Sequence, residues 1–373
     1  MKLTLKYAIA AILLAFDLVA LVAASPLEDG ITAYQKGDYG TAYSLLRLAA
    51  EQGVAQAQTI LGVLYANGQD VAQSYVEAIR WRAKSPAFVS NANLDDAIAA
   101  FRKGDYATAI RVFRPLAEKG NPTAQFYLGF MYANGRGVPK EYAEALKWYR
   151  LAADQGFAAA QHNLGIMYAN GQGVALDHVE AVKWYRLAAN QGFAKAQNEL
   201  GYDYAQGRGV PQNYDEALKW YRLAADQGNV GGQTNLGNMY ALGQGVPQDY
   251  VEALKWFRLA ADQGNAGAQF NLGHMYENGQ GVKKDYVEAA KWWQLAAEQD
   301  FTMAQLNLGT LYATGQGVPQ DNVRAYFWFI LAAARGDQVA INNQNRVARQ
   351  MTQAQIAEAK KLVREWKPKK TTD

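Results

Sequence analysis

Two residue types recur on the same 36-residue interval, and that interval limits the fold more than any other feature of the chain. Leu-Gly pairs place glycine at Gly129, Gly165, Gly201, Gly237, Gly273 and Gly309. Tryptophan follows the same spacing at Trp148, Trp184, Trp220, Trp256, Trp292 and Trp328. One period held by two residue types over six copies implies stacked supersecondary units, each burying its apolar side on the next.

Each unit reads as two helices. Pro122–Ala133 places Ala124, Leu128, Met131 and Tyr132 at helical spacing. The break from Asn134 to Pro139 supplies glycines suited to positive φ and a proline suited to a helix start. A second helix over about Glu141–Gln155 puts Ala145, Trp148, Tyr149 and Ala152 on one face, and Gly156 stops it. The alanines permit close helix approach, and Trp and Tyr fill the wedge between units. Glu144 and Lys147, three apart, belong to the outer face.

The pattern AQ-x-x-LG-x-x-Y-x-x-G-x-GV, followed by A-x-x-W-[YF]-x-x-AA-x-x-G, resembles the Sel1-like repeat, a relative of the tetratricopeptide repeat. It covers residues 122–335 as six copies. The resemblance implies an all-α, right-handed α/α superhelical solenoid of stacked antiparallel helix pairs. It also implies a protein-interaction scaffold, and many bacterial members of this family act in the envelope or outside the cell.

The array starts twice. Gly30–Gly68 parallels Ala97–Gly135 at an offset of 67, matching Gly37 with Gly104, Leu61 with Leu128 and Trp81 with Trp148. Residues 25–84 therefore read as an N-terminal helical block and 95–121 as the second start. A linker at 85–94 joins them, because Pro86 keeps Ser85 out of a helix and Ser/Asn content favours a loop. At the other end the repeat is lost, and two capping helices are expected by Trp366, within 336–366. Ile356, Ala359, Val363 and Trp366 share a stripe of the last one. The basic tail 367–373, with Lys367, Lys369 and Lys370, reads as a solvated end.

Residues 1–24 carry Lys2 and Lys6, then an apolar run, then small residues ahead of Ser25. That is the layout of a cleaved secretory signal, and it predicts a periplasmic or secreted protein. Asp17 interrupts the run, which makes it too short to span a bilayer. No stable membrane insertion is expected after cleavage.

Enzymatic signatures are missing. With no cysteine the chain has no disulfide, thiolate metal site or thiol nucleophile. Some relatives with disulfide-bonded repeats are linked to β-lactam binding or hydrolysis. Here none of Ser25, Ser44, Ser74, Ser85 or Ser90 has lysine three residues on. Asn170-Gly171-Gln172-Gly173 and its copies read as interhelical turns rather than phosphate loops, since no lysine accompanies them. His162, His178 and His274 fall at different repeat positions, so they form no ladder of metal ligands. The net charge of +3 gives no nucleic-acid signal. No catalytic residue, metal site or cofactor is expected.

Specificity can reside only where the copies differ. In the first helix Gln125, Leu128, Gly129 and Tyr132 hardly change between copies. Two positions four apart, hence on one face, vary freely: Phe126 and Phe130, His162 and Ile166, Asn198 and Tyr202, Thr234 and Asn238, Phe270 and His274, Leu306 and Thr310. The resemblance places this helix on the concave side of the solenoid. The expectation is a partly exposed groove that binds a protein or peptide. Two rivals are a hydrolase acting on cell-wall or β-lactam substrates and a peptidoglycan or carbohydrate binder using the aromatics. Position 127 and its equivalents (Tyr127, Asn163, Glu199, Asn235, Asn271, Asn307) are mostly Asn, which predicts an inter-repeat hydrogen bond there.

Overall fold

The computed structural model describes residues 26–34, 36–54, 57, 58, 60, 61, 64 and 94–369. The expected signal at 1–24, the linker residues 85–93 and the end of the tail at 370–373 lie outside the described residues. Among the described residues the regular structure is entirely helical. The chain divides into two compact units, Met1–Asp177 and His178–Asp373.

In the N-terminal unit, helix α1 (Tyr39–Glu51) belongs to the first array. The second array opens with α2 (Leu94–Arg102) and α3 (Tyr106–Glu118), then α4 (Pro122–Asn134), α5 (Tyr142–Asp154) and α6 (Ala158–Asn170). Consecutive helices from α2 to α6 pack on each other. The doubled array start has a shared local cause. Asp38 accepts from the Thr41 amide, and Asp105 accepts from the Thr108 amide, so each Gly-Asp-Tyr motif caps a helix of 13 residues.

The C-terminal unit runs α7 (His178–Asn190), α8 (Ala194–Gln206), α9 (Tyr214–Asp226), α10 (Val230–Leu242), α11 (Tyr250–Asp262), α12 (Ala266–Asn278), α13 (Tyr286–Glu298), α14 (Thr302–Thr314) and α15 (Asn322–Ala333). Each helix packs on its successor. Two more, α16 (Gln338–Ala348) and α17 (Gln353–Glu365), pack back on α15. Ala359 of α17 is buried, with Ile356, Val363 and Trp366 partly buried in the cluster that holds Trp328 and Phe329. Thr352 and Gln355 start α17 with a capping box. Lys367 and Lys369 are exposed, as expected of a solvated end, but Lys369 is also tethered. Its amide donates to the Glu298 carbonyl at 2.7 Å, and its ammonium pairs with the Glu298 carboxylate.

Local chemistry explains the boundaries. Asn121 accepts from the Ala124 amide at 2.9 Å and Pro122 occupies the first turn of α4. Gly135 ends that helix at φ 66°. Gly137 has a double reason to be glycine. Its φ is 72°, and a Cβ there would come within 2.5 Å of the Tyr106 Cβ in the preceding helix pair. Gly245, in the C-terminal unit, repeats this against the Tyr214 carbonyl at 2.8 Å. The Gly-x-Gly break is therefore a turn pressed onto its neighbour.

A glutamine ladder ties the pairs together. Gln125, Gln197, Gln233 and Gln269 are buried, and each donates Nε2 to an alanine carbonyl eight residues earlier. Their Oε1 atoms accept from Gln155, Gln227, Gln263 and Gln299, thirty residues on, at 2.7–2.8 Å. Inside this low-dielectric seam both ends of the Gln125, Gln197, Gln233 and Gln269 amides are paired. Arg114, Arg186 and Arg258 each donate to a tyrosine hydroxyl eighteen residues on, at 2.7–2.8 Å.

The tryptophans are less central than their period implies. Trp148, Trp220 and Trp328 are buried, whereas Trp184, Trp256 and Trp292 are half-buried. Trp184 and Trp220 donate Nε1 to Glu180 and Glu216 at 3.1 Å, one turn back. Lys147 and Lys219 lie over the Trp148 and Trp220 rings, on the outer face where Lys147 also meets Glu144. The innermost aromatic is the next residue: Tyr149, Tyr185, Tyr221, Phe257, Trp293 and Phe329 are all buried.

Candidate functional site

The variable positions ride on the first helix of each pair, and their neighbours are fixed by the buried frame around Leu128, Gly129 and their copies. In the N-terminal unit Phe126 and Phe130 are half-buried. The Phe126 ring lies 5.9 Å from Tyr149 and 5.3 Å from Phe157, and Phe130 lies 5.7 Å from Phe101. Ile166 is half-buried as well. His162 is a correction to the expectation of exposure. It retains 7% of its surface, with Nδ1 3.2 Å from Asn163 Oδ1.

In the C-terminal unit Asn198, Tyr202, Thr234, Asn238, Phe270 and Thr310 are half-buried and His274 is exposed. Leu306, at 8% exposure, is the second correction. Phe270 leans on Phe301 at 5.2 Å and on Trp293 at 6.5 Å. Thr234 and Thr310 turn their hydroxyls onto their own helices, to Val230 and Leu306 carbonyls. The first variable position tilts over the seam because helical side chains lean toward the preceding turn. At this position His162 and Leu306 are buried, whereas Phe126 and Phe270 are half-buried.

The expected inter-repeat bond forms, and it recruits the variable positions. Asn235 Nδ2 donates to Asn198 Oδ1 at 3.0 Å, and Asn271 Nδ2 donates to Asn238 Oδ1 at 3.1 Å. Asn198 and Asn238 are thus partly spent on holding the stack. Tyr202 carries the Arg208 guanidinium 4.8 Å above its ring. In the N-terminal unit Asn163 instead bonds the Tyr149 hydroxyl, whose pKa burial pushes up.

One pair of carboxylates on α8 departs from the repeat. Glu199 stands where Asn163, Asn235 and Asn271 stand, and Asp203 where Met131, Met167, Met239 and Met275 stand. Asp203 is buried, and its pKa rises to about 7, first through desolvation and then through Glu199, while Arg208 opposes the rise. Burial raises the Glu199 pKa too, against a hydrogen bond from Asn198. Tyr185 and Tyr221 are raised by burial and by both carboxylates. The signal for Asp203 was a charge in a methionine column.

An open pocket of about 700 Å³ lies at the capping end, lined by Val287, Leu308, Phe327, Trp328, Leu362 and Trp366. The cations at its rim are committed: Lys291 to Glu288, and Arg324 to Tyr312 and Asp321. Among the described residues no three metal-ligating side chains cluster. No helix among them is long and apolar enough to cross a membrane.

The repeats have known counterparts. No protein of curated function matches the chain. The crystal structure of a Sel1 repeat protein from Oxalobacter formigenes matches at 36% identity and a TM-score of 0.61, over 65% of this chain and 97% of that one. A protective antigen present in uropathogenic Escherichia coli strains, displaying an SLR fold, matches at 30% identity and a TM-score of 0.35. That match covers 92% of this chain and 91% of the antigen. The Sel1 repeat profile fits residues 23–54, 55–84, 122–157, 158–193, 194–229, 231–265, 266–301 and 302–337. With helix pairs, glutamine ladder and glycine contacts recurring through these segments, the chain belongs to the Sel1 repeat family.

Proposed function

We propose that this protein is a non-catalytic interaction scaffold, exported from the cytoplasm, that binds a protein or peptide of the cell envelope along the first helices of its repeats. Sel1 repeats and their fold support a scaffold that meets other proteins. The observation that carries the finer reading is the contrast within one helix. Positions such as Gln269 and Leu272 are buried and invariant, whereas Tyr202, Phe270 and His274 keep accessible surface and differ from copy to copy. A fixed frame with a varied exposed face is suited to reading a partner. The layout of residues 1–24 supports export.

Immobilised protein beginning at Ser25 is incubated with envelope extract, and retained proteins are compared with those held by a Tyr202→Ser/His274→Ala variant. Loss of a defined partner, with an unchanged circular dichroism spectrum, is the expected result. Retention of the same set by the variant overturns binding on this face. Turnover of peptidoglycan or a β-lactam by the purified chain overturns the non-catalytic reading. N-terminal sequencing of the protein from fractionated cells checks cleavage before Ser25.

A further inference from the structure

The second helices of the C-terminal unit, α7, α9, α11 and α13, repeat three outward rows. Leu187, Leu223, Leu259 and Leu295 occupy one helical position and keep between 41% and 48% of their surface. One exposed leucine is ordinary, but four in a single column form an apolar ladder, the mark of an interaction surface. Four residues before each leucine stands Lys183, Lys219, Lys255 or Lys291, and three after it stands Asn190, Asp226, Asp262 or Glu298. At helical spacing the three rows share one side, opposite the buried Tyr185, Tyr221, Phe257 and Trp293. Lys219 and Lys255 meet Glu216 and Glu252, yet their side chains stay 58% and 62% exposed, open to a second carboxylate. Asp226 and Asp262 are exposed and form no ion pair among the described residues.

These rows are complementary to themselves. A copy turned by 180° about an axis perpendicular to the face runs its helices antiparallel to the first. Leucine row then meets leucine row, and each lysine row meets an acidic row. At 1.5 Å per residue the lysines lie about 6 Å before the leucines and the acids about 4.5 Å after, so opposed rows match within about 2 Å. An axis between α9 and α11 sets Leu223 on Leu259, Lys219 on Asp262 and Lys255 on Asp226, each pair joining one copy to the other. Each helix face measures about 20 by 10 Å, so two helices offer about 400 Å² per copy and four about 800 Å². That range spans transient to standard complexes. We propose that the outer face of α9 and α11, flanked by α7 and α13, is a two-fold self-association surface that pairs two copies of this chain. The proposal goes beyond the scaffold reading and is independent of it, because the varied first helices remain uncovered.

Sedimentation velocity on the chain beginning at Ser25, from about 5 to 300 µM, tests it across the range expected for an interface of this size. The wild type is expected to pass reversibly from monomer to dimer. Asp226→Lys/Asp262→Lys makes both charged rows basic at α9 and α11, and Lys219→Asp/Lys255→Asp makes both acidic. Each variant alone is expected to associate at least about tenfold more weakly, and an equimolar mixture of the two is expected to regain the dimer. That rescue also shows that both variants are folded. Leu223→Gln/Leu259→Gln, at exposed positions, is expected to weaken the dimer without changing the circular dichroism spectrum. A wild type that stays monomeric at the highest concentration overturns the proposal. So does a charge variant that dimerises as the wild type does, or a mixture that stays monomeric.

Discussion

Gly129 and Tyr149, twenty residues apart, meet so closely that a Cβ on the glycine would lie 2.6 Å from Tyr149 Cδ1. The same contact joins Gly201 to Tyr221, Gly237 to Phe257, Gly273 to Trp293 and Gly309 to Phe329. The Leu-Gly pair recurs because each first helix must admit the flat ring of the second. Tolerance of Tyr, Phe and Trp at one end, and of glycine alone at the other, follows from that geometry.

Gly201→Ala is expected to destabilise the chain by about 1–3 kcal/mol through overpacking against Tyr221. In a Tyr221→Ala background, where the ring is gone, the same substitution should cost far less. Denaturant titration of the two singles and the double measures this coupling, and additive effects would contradict the contact.

Gln269→Met keeps the side chain's volume and removes both rungs it supports, leaving the Ala261 carbonyl to its backbone donors and the Gln299 amide to the Leu295 carbonyl. A loss of roughly 1–3 kcal/mol is expected for the two hydrogen bonds removed. Gln248→Met, an exposed position, should stay within about 0.5 kcal/mol in the same thermal melts.

Tyr149→Ala and Phe329→Ala remove fully enclosed rings and should each cost about 3–5 kcal/mol. Trp184→Ala should cost distinctly less, because its indole is half-buried and held by Glu180 at the outer face. Chemical unfolding of the three variants ranks them. A Trp184 loss as large as that at Tyr149 would restore the tryptophans as the principal core.

Asp203 makes stability depend on pH. Its native pKa, raised to about 7 from 3.8 by burial and Glu199, means that the folded chain holds this proton longer than the unfolded chain. The contribution is complete below about pH 4 and is lost as pH rises to about 7, so melting temperature should fall across that window. Glu199 acts in the same direction, Arg208 opposes it, and Tyr185 and Tyr221 remain protonated throughout. Asp203→Met should flatten that part of the profile and raise the melting temperature at pH 8. A steeper fall in the variant would reverse the assignment.

Helix identity and boundaries were legible in the residues themselves, because they are local. Asn121 and Pro122 start α4, Gly135 ends it, and alanine and leucine at helical spacing mark its apolar side. The Asn ladder was also visible, since an amide repeated at one column of a stacked array has the next copy within reach. The candidate face was legible as positions four apart, but not its depth. His162 and Leu306 are buried by neighbours that lie outside their own helices.

By itself, then, the sequence determined a 36-residue all-helical repeat, its caps and turns, and the columns that vary. All of these follow from backbone hydrogen bonding and side-chain spacing within one unit. Only the tertiary structure decided that Tyr149 rather than Trp148 fills the glycine notch, that Gln155 completes a ladder with Gln125, and that Asp203 is a buried charge. Those outcomes depend on the distance and rotation between helices, which no single helix specifies. The energy of a buried ring or carboxylate is set by what the next helix places against it.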